Sequence, residues 1–118
     1  MGRDDSLAGE GIVDLLGREG IGPLWGMAST DLNATLLAWP PRHEVAEHLN
    51  EELDVLVVVL GGQGNAIVDD EPHDLATGST ILIPRGTRRR ITAGATGLRY
   101  LSVHRRRGPL QIQAAPNR

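Results

Sequence analysis

Cysteine, lysine and phenylalanine are all absent from this chain. The lack of cysteine excludes disulfides, thiolate nucleophiles and thiolate metal sites, and it leaves histidine, carboxylate and amide oxygen as the available metal ligands. A cysteine-free chain fits a reducing compartment, and we expect a cytoplasmic protein. With only two tryptophans and one tyrosine as aromatics, the interior must be built mainly from leucine, isoleucine, valine and alanine.

Excess positive charge and long apolar runs are missing as well. Twelve arginines face fifteen acidic residues, which gives a formal net charge of -3, so electrostatics offers no case for nucleic acid as a partner. No stretch approaches the roughly 18 apolar residues of a membrane span. The first residues carry acids where a signal peptide needs a positive end and an apolar core. We therefore expect neither a membrane nor nucleic acid as a partner.

The 118 residues suffice for one domain. Residues 1–23 are predicted to form an N-terminal arm, with a short helix from Ser6 to Arg18 that ends near Gly17 and Gly20. Residues 24–113 are predicted to form a barrel, and residues 114–118 a flexible tail.

Short apolar runs split by Gly, Pro, Asn and Asp predict the strands of an antiparallel β-sandwich or barrel. The predicted strands are Asn33–Trp39, Val55–Leu60, Gly64–Val68, Thr80–Ile83, Arg89–Ala93 and Leu98–His104. Turns are expected at residues 61–64, 69–72 and 84–87. The run Val55–Leu60 is apolar on both faces. We therefore expect a helix, a terminal arm or a second subunit to pack against its outer face. A homodimer is the expected assembly.

Two groups of residues between Arg42 and Ala93 follow a fixed spacing. The first comprises Arg42, His48-Leu49-Asn50, Asp54 and Gly61. The second comprises Gly78, Pro84-Arg85-Gly86, Arg89 and Ala93. These spacings resemble the two motifs of the small single-domain cupins, and the resemblance extends over about Trp25 to Ile112. It implies an all-β cupin-type barrel, also called a double-stranded β-helix or jelly roll.

In that family the first motif reads glycine, five residues, His-x-His, three or four residues, glutamate, six residues, glycine. The second supplies a further histidine, and the four ligands surround a divalent ion. The resemblance places His48, Asn50, Asp54 and Arg89 at these ligand positions. Aspartate and histidine are good ligands, asparagine is a weak one, and the permanently charged guanidinium of arginine is none. A site without a metal cofactor is the leading hypothesis.

The segment Tyr100-Leu101-Ser102-Val103-His104 alternates as a strand, so Tyr100, Ser102 and His104 share one face. If that face is inward, His48, Asp54 and His104 form a two-histidine, one-carboxylate set suited to iron, manganese, nickel or zinc. The simpler interpretation of His48 is a hydrogen bond to Asp54 inside the barrel. For His104 it is a place at the end of the strand, beside the arginines that follow.

Three functions remain open at this stage. The first is a binding module whose small-molecule ligand contacts Arg89, His48, Asn50, Asp54, Tyr100 and His104. The second is an oxygenase-like or isomerase-like enzyme, either metal-dependent or using His48 as an acid–base group beside Arg89. The third is a structural barrel in which Asp54 and Arg89 form a buried ion pair. His43 and His73 are expected in surface loops, and Trp39 either lines the cavity mouth or packs against a subunit.

Overall fold

The computed structural model describes residues 12–106, except for the side chain of His48. Seven strands form: β1 Gly22–Ala28, β2 Leu32–Trp39, β3 Glu44–Leu49, β4 Val55–Val68, β5 Glu71–Ala76, β6 Thr80–Ile83 and β7 Arg88–Arg105. Every strand pair is antiparallel. The predicted all-β fold class is confirmed.

Two long strands, β4 and β7, carry both layers of the fold. The first half of β4 and the second half of β7 pair with each other and continue through β6, β2 and β1. The second half of β4 and the first half of β7 pair again and continue through β5 and β3. The four predicted strands at 55–60, 64–68, 89–93 and 98–104 are therefore two strands that each turn a corner.

The glycine-rich segment at residues 61–64 is this corner in β4, and the prediction of a separate turn there was wrong. The pairing of β4 with β7 shifts register between Val59 and Gly61 and again between Gly62 and Gly64, as bulged strands do where they bend. Gly62 has a φ of 75°, and a Cβ there would overlap the carbonyl of Gly97. Glycine lets the two backbones approach closely enough for the ladder to continue around the bend.

The other two predicted turns form, the first of them tighter than expected. Asp69 and Asp70 both have positive φ, 50° and 71°, and they join the paired residues Val68 and Glu71 as the two-residue type of hairpin loop. Glu71 and Pro72 already belong to β5. His73 also lies in β5 and is exposed, so it is a surface residue of a strand and not of a loop. The turn at residues 84–87 closes with Thr87 Oγ1 donating to the Pro84 carbonyl at 2.7 Å.

The core lies between the two layers and follows the alternation of the strands. Val55, Val57 and Val59 are 1–2% exposed, whereas Leu56 between them is 39% exposed, so the inner face of β4 begins at Val55. The other layer contributes Ala66, Leu75, Ile91 and Ala93 to the same cluster.

The predicted N-terminal helix does not form in its described part, residues 12–18. Asp14 Oδ1 instead accepts the amide protons of Leu16 and Gly17 at 3.1 and 3.2 Å, and such local bonds compete with a helix. Ser6 to Gly11, and the predicted tail at 114–118, lie outside the described residues. Within residues 12–106, no helix is long and apolar enough to cross a membrane.

Candidate functional site

A cavity opens between the two layers and has two parts. The outer part, the mouth, has a volume of about 420 Å³, and the inner part, the chamber, about 160 Å³. Val55, Arg89 and Ser102 border both parts and join them. The mouth is further lined by Leu49, Asn50, Glu51, Glu52 and His104. The chamber is further lined by Leu37, Trp39, Val45, Ala46, Val57, Ile91 and Tyr100.

Arg89 lies where the mouth meets the chamber. It stands near the start of β7, with Val68 and His48 as its cross-strand partners, and its side chain is half-buried. Among the described residues no carboxylate and no other acceptor binds its guanidinium. Burial lowers the pKa of Arg89, and the nearby Tyr100 hydroxyl opposes that shift. Because arginine ionises far above neutrality, the group is a fixed positive charge with five donors.

Tyr100 forms part of the chamber wall and is 4% exposed. Trp39 Nε1–H donates to its hydroxyl oxygen at 3.2 Å, and the Trp39 ring stacks on His43 with centroids 4.4 Å apart and an interplanar angle of 8°. Burial raises the pKa of Tyr100, while the Trp39 hydrogen bond and the positive charge of Arg89 act against that rise. Trp39 thus lines the chamber and positions Tyr100. His43 supports Trp39, although the sequence indicated no link to the site.

His104 borders the mouth, on the same face of β7 as Ser102 and Tyr100. Its Nδ1 lies 2.9 Å from the carbonyl oxygen of Arg105. A carbonyl only accepts hydrogen bonds, so Nδ1 is the donor of this contact and Nε2 is the ring nitrogen that it leaves available. The predicted shared face of Tyr100, Ser102 and His104 is the one that borders the cavity.

Asn50 also borders the mouth, but its side-chain oxygen accepts hydrogen bonds from the loop that follows. Oδ1 accepts the amide protons of Glu52 and Leu53 at 3.0 and 3.1 Å, an Asx-turn arrangement. The Asn50 carbonyl accepts the Gly86 amide proton at 2.7 Å. These bonds hold the loop after β3 against the turn before β7, so Asn50 shapes the mouth and keeps only its amide protons for a ligand.

Asp54 requires a correction, because the structure places its carboxylate outside the cavity. Asp54 Oδ1 accepts the backbone amide proton of Arg85 at 2.9 Å and its Nε–H at 3.4 Å. Both side chains are largely exposed. The pKa of Asp54 is lowered, first by the Arg85 backbone hydrogen bond and then by the Arg85 side chain. The expected contact between Asp54 and Arg89 is absent from the described residues.

The physical reason is a one-residue difference in register. Counting the family spacing back from Gly61 leads to Asp54, but the glycine with positive φ at the corner of β4 is Gly62. Counting back from Gly62 leads to Val55, and the interval from Asn50 still fits the family motif. Val55 is 2% exposed and borders the cavity. A valine therefore occupies the inward position at which the family has its carboxylate.

The donor set of the described residues does not fit a cupin metal centre. Val55 and Arg89 occupy two of the four ligand positions, and neither side chain ligates a metal. The Asn50 oxygen is engaged in its own loop. Within the described residues, no group of three histidine or acidic side chains is arranged to hold an ion. The His48 side chain is outside the described residues, and the predicted set of His48, Asp54 and His104 fails at Asp54.

Known proteins with this architecture support the same fold. A Thermus thermophilus protein, TT1209, is similar with a TM-score of 0.71 and 23% identity, over 82% of this chain and 98% of its own. KdgF from Halomonas sp. is similar with a TM-score of 0.67 and 18% identity, over 76% of this chain and 84% of its own. The Cnp3 cupin domain of Schizosaccharomyces pombe is similar with a TM-score of 0.65 and 15% identity, over 79% of this chain and 68% of its own.

Sequence comparison identifies the family. No protein of curated function matches the chain. The model of the cupin domain family matches residues 35–104, which cover β4 with its corner, β7 except for its last residue, and every cavity residue named above. The chain therefore belongs to the cupin family.

Proposed function

We propose that this protein binds a small organic anion in the cavity between its two layers, with Arg89 as the anchor. The observation that carries the proposal is the half-buried Arg89 guanidinium, which no described acceptor neutralises at the junction of mouth and chamber. A partly desolvated charge without a partner is costly, and a bound anion removes that cost.

The surroundings of Arg89 suit binding. Specific small-molecule sites are concave and mostly apolar, with a few polar groups that converge on one region. Here Arg89, Ser102, Tyr100 and His104 border one continuous cavity. The side chains of Arg89, Ser102 and Tyr100 have N–H or O–H groups that can donate to an anion. The guanidinium fork of Arg89 also matches a carboxylate in two-point geometry.

The alternative of a purely structural barrel has less support. It requires a filled interior and a direct ion pair between Asp54 and Arg89, whereas the cavity is open and Asp54 pairs with Arg85. A metal-dependent oxygenase or isomerase needs a ligand set that Val55 and Arg89 do not provide.

Isothermal titration calorimetry with a defined panel of anions tests the proposal. The panel contains acetate, benzoate, hexanoate, gluconate and glucose 6-phosphate, each titrated at neutral pH. We expect at least one member to bind, and Arg89→Gln to weaken it by about tenfold or more, because a charge-assisted hydrogen bond is lost.

The matched control is Arg88→Gln. Arg88 is the exposed neighbour of Arg89 on β7, and its hydrogen bond to Asp69 uses the backbone amide, which the substitution keeps. The control should bind like the wild type. If no anion binds, or if Arg88→Gln weakens binding as much as Arg89→Gln, Arg89 is not the anchor of a cavity site and the proposal is wrong.

A further inference from the structure

The two parts of the cavity differ in chemistry, and this difference narrows the class of ligand. Beyond Val55, Arg89 and Ser102, which it shares with the mouth, the chamber is walled by Leu37, Trp39, Val45, Ala46, Val57, Ile91 and Tyr100. These side chains are apolar except for the indole N–H and the phenol group. The indole N–H already donates to the Tyr100 hydroxyl. A hydroxylated ligand body placed in the chamber would leave most of its own hydroxyl groups without partners, which costs free energy for each one.

The size of the chamber sets the size of the ligand body. Its volume is about 160 Å³, and an apolar protein cavity of about 150 Å³ accommodates one benzene molecule. An aromatic ring or an aliphatic chain of comparable size therefore fills it. Filling it adds dispersion contacts that the empty chamber lacks.

The charges around the cavity set the charge of the ligand. Arg89 is the one arginine among the described lining residues, whereas the mouth carries two carboxylates, Glu51 and Glu52. A singly charged anion neutralises Arg89 and brings no further negative charge toward the acidic residues of the mouth. A doubly charged phosphate ester brings an additional negative charge toward Glu51, and like charges at close range disfavour binding.

We infer that the ligand is a monocarboxylate with an unsubstituted apolar body about the size of a benzene ring, its carboxylate at Arg89 and its body in the chamber. Benzoate and hexanoate are the simplest members of this class. The inference rests on the proposed function and adds the ligand class to it. It assigns separate roles to Arg89, which holds the charge, and to the chamber wall, which selects the body.

Ranking the panel on the wild-type protein tests the class without any variant. We expect benzoate and hexanoate to bind at least about tenfold more tightly than acetate, which has no body to bury. Benzamide, which keeps the ring without the charge, should also bind at least about tenfold more weakly than benzoate. Gluconate and glucose 6-phosphate should bind still more weakly than benzamide. Both carry hydroxyl groups that the chamber cannot pair, and the phosphate ester also carries a second negative charge.

A variant of the chamber wall separates the body from the charge. Ala46 lines the chamber and is itself exposed, so Ala46→Phe adds a ring at the chamber with little strain on the core. We expect it to weaken benzoate by about tenfold or more and to leave acetate unchanged, since the lost contacts are those of the body. Ala46→Ser is the matched control, and urea unfolding of each variant confirms that it is folded.

The outcomes distinguish the inference from the proposed function. Binding of gluconate or glucose 6-phosphate in preference to benzoate, with dependence on Arg89, would overturn the ligand class and leave the anion-binding function standing. Benzoate binding that Ala46→Phe does not change would also overturn the class, because the ring would then lie outside the chamber. No Arg89-dependent binding of any panel member would overturn both.

Discussion

Arg89 and Tyr100 are coupled by charge across the chamber, and the coupling can be measured because Tyr100 is the only tyrosine of the chain. Burial raises the pKa of Tyr100 above its ordinary value of 10.0, while Arg89 counteracts the rise. The phenolate absorbance of the folded protein should therefore titrate with a midpoint above 10.0, and the midpoint should return to the ordinary value in denaturant.

Arg89→Gln removes the positive charge near the phenolate, so the Tyr100 midpoint should rise further in this variant. Arg88→Gln, which changes the exposed neighbour, should leave the midpoint where it is. Because the pKa of Tyr100 is raised, the folded state holds the phenol proton more tightly than the unfolded state. The stabilisation is complete below pH 10.0 and is lost as pH rises through the folded pKa. An equal midpoint in Arg89→Gln and wild type would refute the charge interaction between Arg89 and Tyr100.

Asp54 supplies a second prediction, at the acid end of the pH scale. Its pKa is lowered below the ordinary value of 3.8 by the Arg85 backbone amide and side chain, so the charged carboxylate stabilises the folded state. That stabilisation is present above pH 3.8 and is lost as pH falls through the folded pKa. Asp54→Asn should therefore lower the melting temperature at neutral pH, by an amount that shrinks in strong acid.

The comparison for Asp54→Asn is Asp74→Asn. Asp74 is an exposed residue of β5, and its carboxylate has no hydrogen-bond partner among the described residues. We expect Asp74→Asn to change the melting temperature by the same small amount at neutral and at acid pH, when thermal unfolding is followed across the pH range. If both variants lose the same amount of stability at neutral pH, the contact from Asp54 to Arg85 does not stabilise the fold.

At the scale of the element, the register of β4 decides which residue faces the site. A shift by one residue moves every side chain of a strand to the opposite face. With Val55 inward and Asp54 outward, a carboxylate must be introduced at residue 55 to rebuild the family's ligand set. Asp54 cannot supply it, whatever residue stands at position 89.

This register makes a prediction about metal affinity. Arg89→His alone restores one ligand position, and we expect it to leave the affinity for Ni²⁺ or Mn²⁺ unchanged in titration calorimetry. The double variant Val55→Glu/Arg89→His adds an inward carboxylate, and we expect at least about tenfold tighter metal binding, because charge and ligand number increase together.

The control for the double variant is Val55→Gln/Arg89→His, which has the same size but lacks the charge of the new carboxylate. It should bind the metal more weakly than the glutamate variant. Tight binding by Arg89→His that is lost on adding Asp54→Asn would mean that Asp54 reaches the cavity after all, and the assigned register would then be wrong.

In the whole molecule, one layer consists of β6, the first half of β4, the second half of β7, β2 and β1. The outer face of this layer is apolar and only partly covered. Leu82, Leu56 and Val103 are cross-strand neighbours on this face. Leu82 and Leu56 are 57% and 39% exposed. Farther along the same layer, Leu36 and Ala38 are buried, and Arg99, the strand partner of Ala38, donates to the carbonyl of Leu15 at 3.0 Å. The segment at 12–21 therefore covers one part of this face.

A second copy of the chain is the cover we expect over Leu56 and Leu82, as the homodimer prediction from Val55–Leu60 requires. An isologous contact would bury this row on both copies. Leu82→Glu should then shift the protein toward monomer in light scattering coupled to size exclusion, since it places an unpaired charge in the contact. Leu49→Glu is the matched control, because Leu49 is 40% exposed, close to the value for Leu56, but lies on β3 in the other layer. A wild type that is monomeric at high concentration would refute the dimer.

Local patterns of the sequence determined much of the fold. The alternation in β2, β4 and β7, the Asp69-Asp70 turn and the motif spacing led to an all-β cupin barrel. The bounds of β6 were predicted as they occur, Thr80–Ile83. The predicted site residues that border the cavity are Asn50, Arg89, Tyr100 and His104. These features are local, because side-chain period and turn chemistry depend on few neighbouring residues.

The family, the strand pattern and the arginine in place of a metal-binding histidine at position 89 follow from the sequence alone. The packing of the two layers sets the rest: β4 and β7 each run through a corner, Val55 and not Asp54 faces the cavity, and Trp39 and His43 support Tyr100. The corner of β4 depends on two irregularities in its pairing with β7, one between Val59 and Gly61 and one between Gly62 and Gly64. A bulge forms where two distant backbones meet, and its position follows from that packing and not from spacing along the chain.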